Sequence, residues 1–167
     1  RTFGVLKNTA LVVPALQPFL AQQLGAEVTQ GLWGAMDFWW TMGANNPIAK
    51  LFVDDFLAKH KYKPYWPAHI AYSQMQIWAA AVERAKSFNP IEVIKQLESG
   101  KPMTTSLGEV YYRAGDHQLI RPVPVMRGKK PSEMKSPDDY YELVQTVPGK
   151  DAVPPLEETN CKMGELA

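Results

Sequence analysis

The stretch Tyr65–Ala85, YWPAHIAYSQMQIWAAAVERA, decides how the rest of the sequence is interpreted. After two aromatic residues and a proline, apolar residues recur among polar ones at three- and four-residue spacing: Ala71, Met75, Trp78, Ala81 or Val82, and Ala85. That spacing predicts a helix over Ala68–Lys86 that buries this apolar face. Binding loops are commonly held on rigid elements. Tyr65, Trp66 and Pro67 therefore either contact a ligand or simply pack on the core, and both interpretations stay open.

Two more helices are indicated by the same start signal. Asn46-Pro47 and Asn89-Pro90 each place an asparagine at the N-cap and a proline at the first helical position. The first helix is predicted over Pro47–His60, with a buried stripe of Ile48, Leu51 or Phe52, and Phe56. The second is predicted over Ile91–Leu97.

Upstream, the pattern is that of a strand, a helix and a second strand. Thr2–Leu6 is predicted as the first strand, and the helix starts at Pro14 or near Pro18 and stops at Gly25. Gly31–Phe38 is almost continuously apolar, which is typical of a buried strand in a parallel sheet. The segment therefore predicts a βαβ unit.

Downstream, the periodicity changes to that of strands. Three are predicted, at Gly108–Arg113, Gln118–Met126 and Tyr140–Val147. Pro122 and Pro124 lack amide donors, so their strand is expected at a sheet edge or in a connection. Lys129–Asp139 is polar and is predicted as an exposed loop. From Pro148 onward the chain is expected to lie on the surface as an arm.

Composition and charge exclude several classes of function. The formal net charge is +1, so nothing indicates a nucleic-acid partner. No apolar run has the length of a membrane span. Cys161 is the only cysteine, so an internal disulfide is impossible, and a bond to a cysteine outside this chain or a free thiol are both open. The three histidines lack ligand spacing, so no metal or other cofactor is expected.

The sequence contains no convincing catalytic constellation. It has neither a serine nucleophile elbow nor a glycine-rich phosphate loop. Asp54-Asp55 and Asp138-Asp139 are sequence neighbours, and neighbouring side chains on a helix point in different directions. A binding module is therefore favoured over an enzyme.

A cluster of aromatic residues follows the second predicted strand. In open parallel sheets, ligands bind beyond the carboxyl ends of the strands, which is where Asp37-Phe38-Trp39-Trp40 would lie. Two adjacent tryptophans in a loop need something to pack against. A ligand contact and a packing cluster between elements are equally compatible with the residues.

Four features together resemble the C-terminal part of a type I periplasmic solute-binding protein, in the branch that binds branched-chain amino acids, amides, urea and aromatic acids. The first three are the Gly31-Leu32-Trp33 strand start, the NPIAKLF helix start at Asn46, and the helix with Ala71-Tyr72 and Ala81–Ala85. The fourth is the order of the short helix after Asn89, the Leu107–Val110 strand and the Gly115–Gln118 turn.

The resemblance implies a parallel-sheet α/β lobe with C-terminal strands that belong to a second lobe. Residues 1–113 would form the lobe-one segment, residues 114–147 the crossover and the strands returning to lobe two, and residues 148–167 an extended arm. It also implies that an N-terminal part of the same protein is missing here, and that the exposed faces of the chain could drive self-association.

By the same resemblance, the ligand lies in a cleft between two lobes. Tyr65, Trp66 and Pro67 would face that cleft, and Asp37, Trp39 and Trp40 would line it. Lys7 and Asn8 would sit near a crossover. An aromatic wall suits an aromatic or apolar ligand body, with polar groups fixing a carboxylate or amide.

The function implied is non-enzymatic: an extracytoplasmic or periplasmic solute-binding component of an ABC importer, which closes on a small ligand and presents it to a membrane permease. A ligand-sensing regulator with the same fold is the alternative, and a small α/β enzyme is a third class.

Overall fold

The computed structural model describes Gly4 and residues 8–164. Thr2–Leu6 lies outside the described residues except for Gly4, so that predicted strand is not assessed. Five helices are formed by the described residues, at Pro18–Leu24 (α1), Ala26–Thr29 (α2), Pro47–His60 (α3), Trp66–Ala85 (α4) and Pro90–Glu98 (α5).

The helix starts follow the local signals. Asn46 accepts hydrogen bonds from the amides of Ile48 and Ala49, and Asn89 accepts one from the amide of Ile91. The prediction of α3 is confirmed residue for residue, and that of α5 to within one residue at each end. Of the two starts left open for α1, the one at Pro18 is observed.

The described strands form two sheets. The first sheet has the order β1-β2-β6-β7, with strands Val12–Val13, Trp33–Ala35, Val123–Gly128 and Tyr141–Val147. The second sheet has the order β3-β4-β5, with strands Met103–Thr105, Gly108–Arg113 and Gln118–Ile120. Only the β1–β2 pair is parallel among these strands; the other pairs are antiparallel.

The βαβ unit is present, with a different first strand from the one predicted. Val12–Val13 pairs in parallel with Trp33–Gly34, and α1 and α2 lie between the two strands in the chain. The second strand is shorter than the predicted Gly31–Phe38. Because β2 also pairs with β6, residues from both sides of the predicted boundary at 113 share the first sheet.

The predicted buried face of α4 is wrong at Ala71, Met75 and Trp78, which are exposed, and correct at Ala81. The buried residues of the helix are His69, Ser73, Ile77 and Ala81. Met75 and Trp78 are 60% and 45% exposed. In α3, of the two residues left open for the buried stripe, Phe52 is buried and Leu51 is exposed.

The prediction that the proline-containing strand lies at a sheet edge or in a connection is correct for Pro122, which lies in the connection between β5 and β6, and wrong for Pro124. Strand β6 lies inside the first sheet, between β2 and β7. Although Pro124 has no amide donor, its carbonyl oxygen accepts a hydrogen bond from the amide of Met36 at 3.2 Å. The pairing of β6 with β7 shifts register between Val125 and Met126, close to Pro124 in the strand. Pro122 lies just outside the strand.

The segment Lys129–Asp139 is not simply an exposed loop. It contains a 3-10 turn at Pro131–Glu133, and its two end residues are buried. Lys129 Nζ and Asp139 Oδ2 are 2.6 Å apart, and the amide of Lys135 donates to the same carboxylate oxygen at 3.0 Å. The ion pair therefore closes the loop onto the end of β6.

Candidate functional site

The two aromatic segments predicted from the sequence meet in the structure. Trp39 and Tyr65 form an isolated antiparallel β-bridge, which joins the chain leaving β2 to the residue that precedes α4. Trp39 is buried and packs edge-to-face on Tyr141, with ring centroids 5.3 Å apart. Its indole nitrogen is buried without a hydrogen-bond partner. The site therefore contains an indole donor that a ligand oxygen or a water could satisfy.

Trp40 stands beside Trp39 with one face covered by a cation. Lys63 Nζ lies 3.4 Å from the centroid of the Trp40 ring, and the Trp40 indole nitrogen donates to the carbonyl oxygen of Asp138 at 3.4 Å. A cavity of about 140 Å³ lies against these side chains. Its lining is Gln22, Trp39, Trp40, Tyr62, Lys63, Pro64, Tyr65 and Asp138.

A second, wider depression of about 440 Å³ is also lined by Trp40. Its walls come from the 3-10 turn Trp40–Asn45, from α3, and from the loop that begins at Lys129. Its charged lining residues are two ion pairs, Lys50–Asp54 and Lys129–Asp139, together with Lys135. Trp40 thus contributes to both cavities.

Trp66 links α4 to the segment before α1. Its indole nitrogen donates to Gln17 Oε1 at 2.9 Å. Pro67, the next residue, is exposed and occupies the first turn of the helix. The Trp66–Gln17 hydrogen bond connects a residue adjoining the first sheet with a helix that packs on the second.

Replacing Trp66 with phenylalanine removes the Gln17 hydrogen bond while keeping an aromatic ring. We expect the free energy of unfolding to fall by about 1 kcal/mol more than in Trp78→Phe, because Trp78 is exposed and makes no described hydrogen bond. Urea unfolding of both variants measures the difference. Equal losses in the two variants would show that the hydrogen bond adds nothing to stability.

The remaining predicted residues differ in what the structure shows. Asp37 forms an ion pair with Arg121, so its carboxylate already has a partner. Asn8 is exposed, and Lys7 lies outside the described residues. The structure therefore brings Trp39, Trp40 and Tyr65 together at one cavity. Trp66 and Asp37 are next to these residues in sequence, but their side chains bond to Gln17 and Arg121.

His69 was not singled out from the sequence as a site residue, and its environment is unusual. It is fully buried on α4, its ring stacks on Phe38 with centroids 3.9 Å apart, and both ring nitrogens lack hydrogen-bond partners. Burial, with a contribution from the charge of Arg121, lowers the pKa of His69 from 6.5 to about 4. The imidazole is therefore neutral at pH 7.

Gln17, Lys63 and Arg121 were also missed. Each acts on a predicted residue that is distant in sequence or belongs to another element, and single polar residues in turns carry no periodic signal. Only the proximity of the chain segments in the fold reveals these contacts.

Comparison with known proteins identifies the family. A family model described as periplasmic binding protein matches residues 1–133. The chain belongs to this family. No curated protein sequence matches it.

Solved structures of periplasmic binding proteins share the fold. An amino acid ABC transporter substrate-binding protein from Pseudomonas fluorescens superposes with a TM-score of 0.81 at 22% identity, over 97% of this chain and 42% of that one. A periplasmic binding protein from Burkholderia mallei superposes with a TM-score of 0.81 at 30% identity, over 96% of this chain and 41% of that one. The periplasmic ligand-binding protein of a branched-chain amino acid ABC transporter from Burkholderia xenovorans superposes with a TM-score of 0.79 at 25% identity, over 95% of this chain and 41% of that one.

This member of the family spans about two fifths of the length of those solved relatives. Among its described residues, no group of three or more His, Cys, Asp and Glu side chains is arranged to hold a metal ion. In the part of the chain that the structure describes, no helix is both long and apolar enough to cross a membrane.

Proposed function

We propose that the chain is part of the extracytoplasmic solute-binding component of an ABC importer, which captures a small ligand by closure of two lobes. The observation that supports the proposal is the meeting of segments 37–40 and 65–67 in the Trp39–Tyr65 bridge, beside a cavity lined by their aromatic side chains. Solute sites are concave and are lined mainly by aromatic and apolar side chains with few polar groups.

The ligand class that we propose is amino-acid-like, amide or aromatic-acid. Trp39, Trp40 and Tyr65 supply flat apolar surface for the ligand body, and the unpaired indole N–H of Trp39 suits a carboxylate or amide oxygen. Lys63 holds a positive charge against Trp40, which favours an anionic group close by. Proteins of similar fold are described as binding branched-chain amino acids.

The partners that we propose are a membrane permease and the remainder of the same protein. On the outer face of α4, Met75 and Trp78 are exposed, and Phe88 extends this face at 79% exposure, 6.2 Å from the Trp78 ring. A contiguous apolar surface of this kind normally has a covering. Because the solved relatives are more than twice as long as this chain, the rest of their fold is the covering we propose.

Calorimetric titration of the complete gene product tests the function. The probes are L-leucine, L-valine, acetamide and 4-hydroxybenzoate, which represent the three ligand classes. We expect at least one probe to bind, and Trp40→Ala to weaken that binding about tenfold or more, which corresponds to about 1.4 kcal/mol. Phe19→Ala, at an exposed aromatic residue of α1, is the matched control and should bind as the parent does.

Absence of binding by every probe would contradict the proposed ligand classes. Equal weakening by Trp40→Ala and Phe19→Ala would show that the aromatic cluster is not the binding wall.

A further inference from the structure

Within residues 8–164, three segments of the chain connect the two sheets. Residues 36–46 lead from β2 to α3, and residues 121–122 lead from β5 to β6. After β7 the chain returns to the second sheet, where the Arg113 guanidinium of β4 donates to the carbonyl oxygen of Pro154 at 2.9 Å. Leu156 then packs against Gly115 in the turn between β4 and β5. Rotation of one sheet relative to the other therefore requires changes in the backbone dihedral angles of these connections.

Arg121 contacts all three connections. It lies in the second one, and its guanidinium forms an ion pair with the carboxylate of Asp37 in the first. Gly149, at the start of the third, is buried against the Arg121 backbone: a Cβ at position 149 would lie 2.6 Å from Arg121 N and 2.7 Å from Arg121 O. No side chain fits in that space without a shift of the backbone.

We infer that Arg121 is the fastening point of the connections between the two sheets, and that the Asp37–Arg121 pair together with the Gly149 contact limits how far the sheets rotate. Hinge motions are absorbed by a few residues in such connecting segments, so a tie between segments restricts the motion. The ion pair is partly shielded from water, at 25% and 33% side-chain exposure, which strengthens it relative to a fully solvated pair. The relevance to ligand capture rests on the proposed function; the fastening itself is measurable without ligand.

The test is a distance measurement by pulsed electron paramagnetic resonance. Spin labels are placed on cysteines introduced at Gln23 of α1, which packs on the first sheet through Ala21, and at Lys95 of α5, which packs on β4 of the second sheet. Both positions are exposed, and the background is Cys161→Ser. In Arg121→Gln we expect the distance distribution to widen about twofold, since the connections can then separate. Asp37→Asn, a milder change, should widen it in the same direction.

Arg127→Gln is the matched control. Arg127 of β6 pairs with Glu142 of β7 at similar exposure, 31% and 37%, but both residues belong to the first sheet. Its loss should reduce stability without widening the distribution. Gly149→Ala should widen it, whereas Gly164→Ala, with open space around the glycine, should not.

Unchanged distributions in both Arg121→Gln and Asp37→Asn would overturn the inference, as would equal widening in Arg127→Gln. Because no ligand is present in this experiment, its outcome is independent of the titration that tests the proposed function.

Discussion

Replacing Lys129 with methionine is expected to lower the free energy of unfolding by about 3–5 kcal/mol, because it leaves the buried carboxylate of Asp139 without its counter-charge. The side chains of Lys129 and Asp139 are 11% and 2% exposed, and Asp139 Oδ1 already lacks a partner. After the substitution, the amide of Lys135 is the remaining described donor to this carboxylate. Methionine preserves most of the lysine stem, so the loss reports mainly on charge.

Lys50→Met is the matched control for that variant. Lys50 pairs with Asp54 one helical turn away on α3, and both side chains are more than half exposed. Such pairs contribute about 0.3–0.5 kcal/mol. Urea unfolding of both variants provides the comparison. A loss at Lys129 as small as the loss at Lys50 would show that the Lys129–Asp139 pair adds no more to stability than an exposed pair.

The second large effect concerns acid pH and His69. The pKa of His69 is about 4 in the folded chain and 6.5 when the residue is solvated. Between these values the unfolded chain binds a proton that the folded chain does not, so stability falls as the pH is lowered through this window. At about 1.4 kcal/mol for each pKa unit, the contribution of His69 is a loss of about 3 kcal/mol from pH 7.5 to pH 4.

His69→Phe should remove that part of the pH dependence. Phenylalanine can keep the stack on Phe38 and cannot bind a proton. The change in the free energy of unfolding between pH 7.5 and pH 4 should therefore be about 3 kcal/mol smaller in the variant than in the parent. Phe19→Ala, at an exposed residue of α1 that carries no titratable group, is the control and should leave the pH dependence as in the parent. Urea unfolding at a series of pH values measures all three chains, and parallel curves for His69→Phe and the parent would refute the effect.

Carboxylates titrate at the acid end of the same series. Hydrogen bonds to Arg113 and to the amide of Lys130 lower the pKa of Asp116 and Glu133, respectively, so their contributions to stability are lost at lower pH still. Because these groups are present in parent and variant alike, the difference between the two curves isolates His69.

Local signals predicted the elements whose ends are set by neighbouring residues. The Asn46 cap and Pro47 define the start of α3 by themselves, and the alternation in Gly108–Arg113 gives β4 correctly. The fold class followed from the resemblance, which depends on the order and spacing of several such elements. These signals depend on short stretches of sequence, so they hold regardless of how the rest of the chain packs.

Which face of an element is buried could not be predicted in the same way. On α4 the apolar stripe with Met75 and Trp78 is a good candidate for burial, yet the chain packs on Ser73 and Ile77 instead. Burial depends on what packs against a face, and among the described residues the ring beside Trp78 is that of Phe88, which is itself 79% exposed. Pro124 shows the same limit, since its place inside a sheet depends on an acceptor contact with Met36 rather than on its own residue type.

The candidate site was predicted in part. The sequence identified Trp39 and Tyr65 as aromatic residues next to element ends, and the structure joins them in one bridge. The ion pair between Asp37 and Arg121 spans 84 residues, and no local pattern foretells a contact at that separation. The predicted boundaries at residues 113 and 147 stay predictions. So does the ligand-binding role of all the site residues, which are Lys7, Asn8, Asp37, Trp39, Trp40, Tyr65, Trp66 and Pro67.

The most direct test of the account compares two proteins in one calorimetric titration: this chain alone and the complete gene product, each with the probe that the complete product binds. If the cleft is shared between two lobes, the chain supplies one wall, and its affinity should be at least about 100-fold weaker, a difference of about 2.7 kcal/mol. Equal affinity of the two proteins would contradict the two-lobed cleft, because all ligand contacts would then lie within this chain.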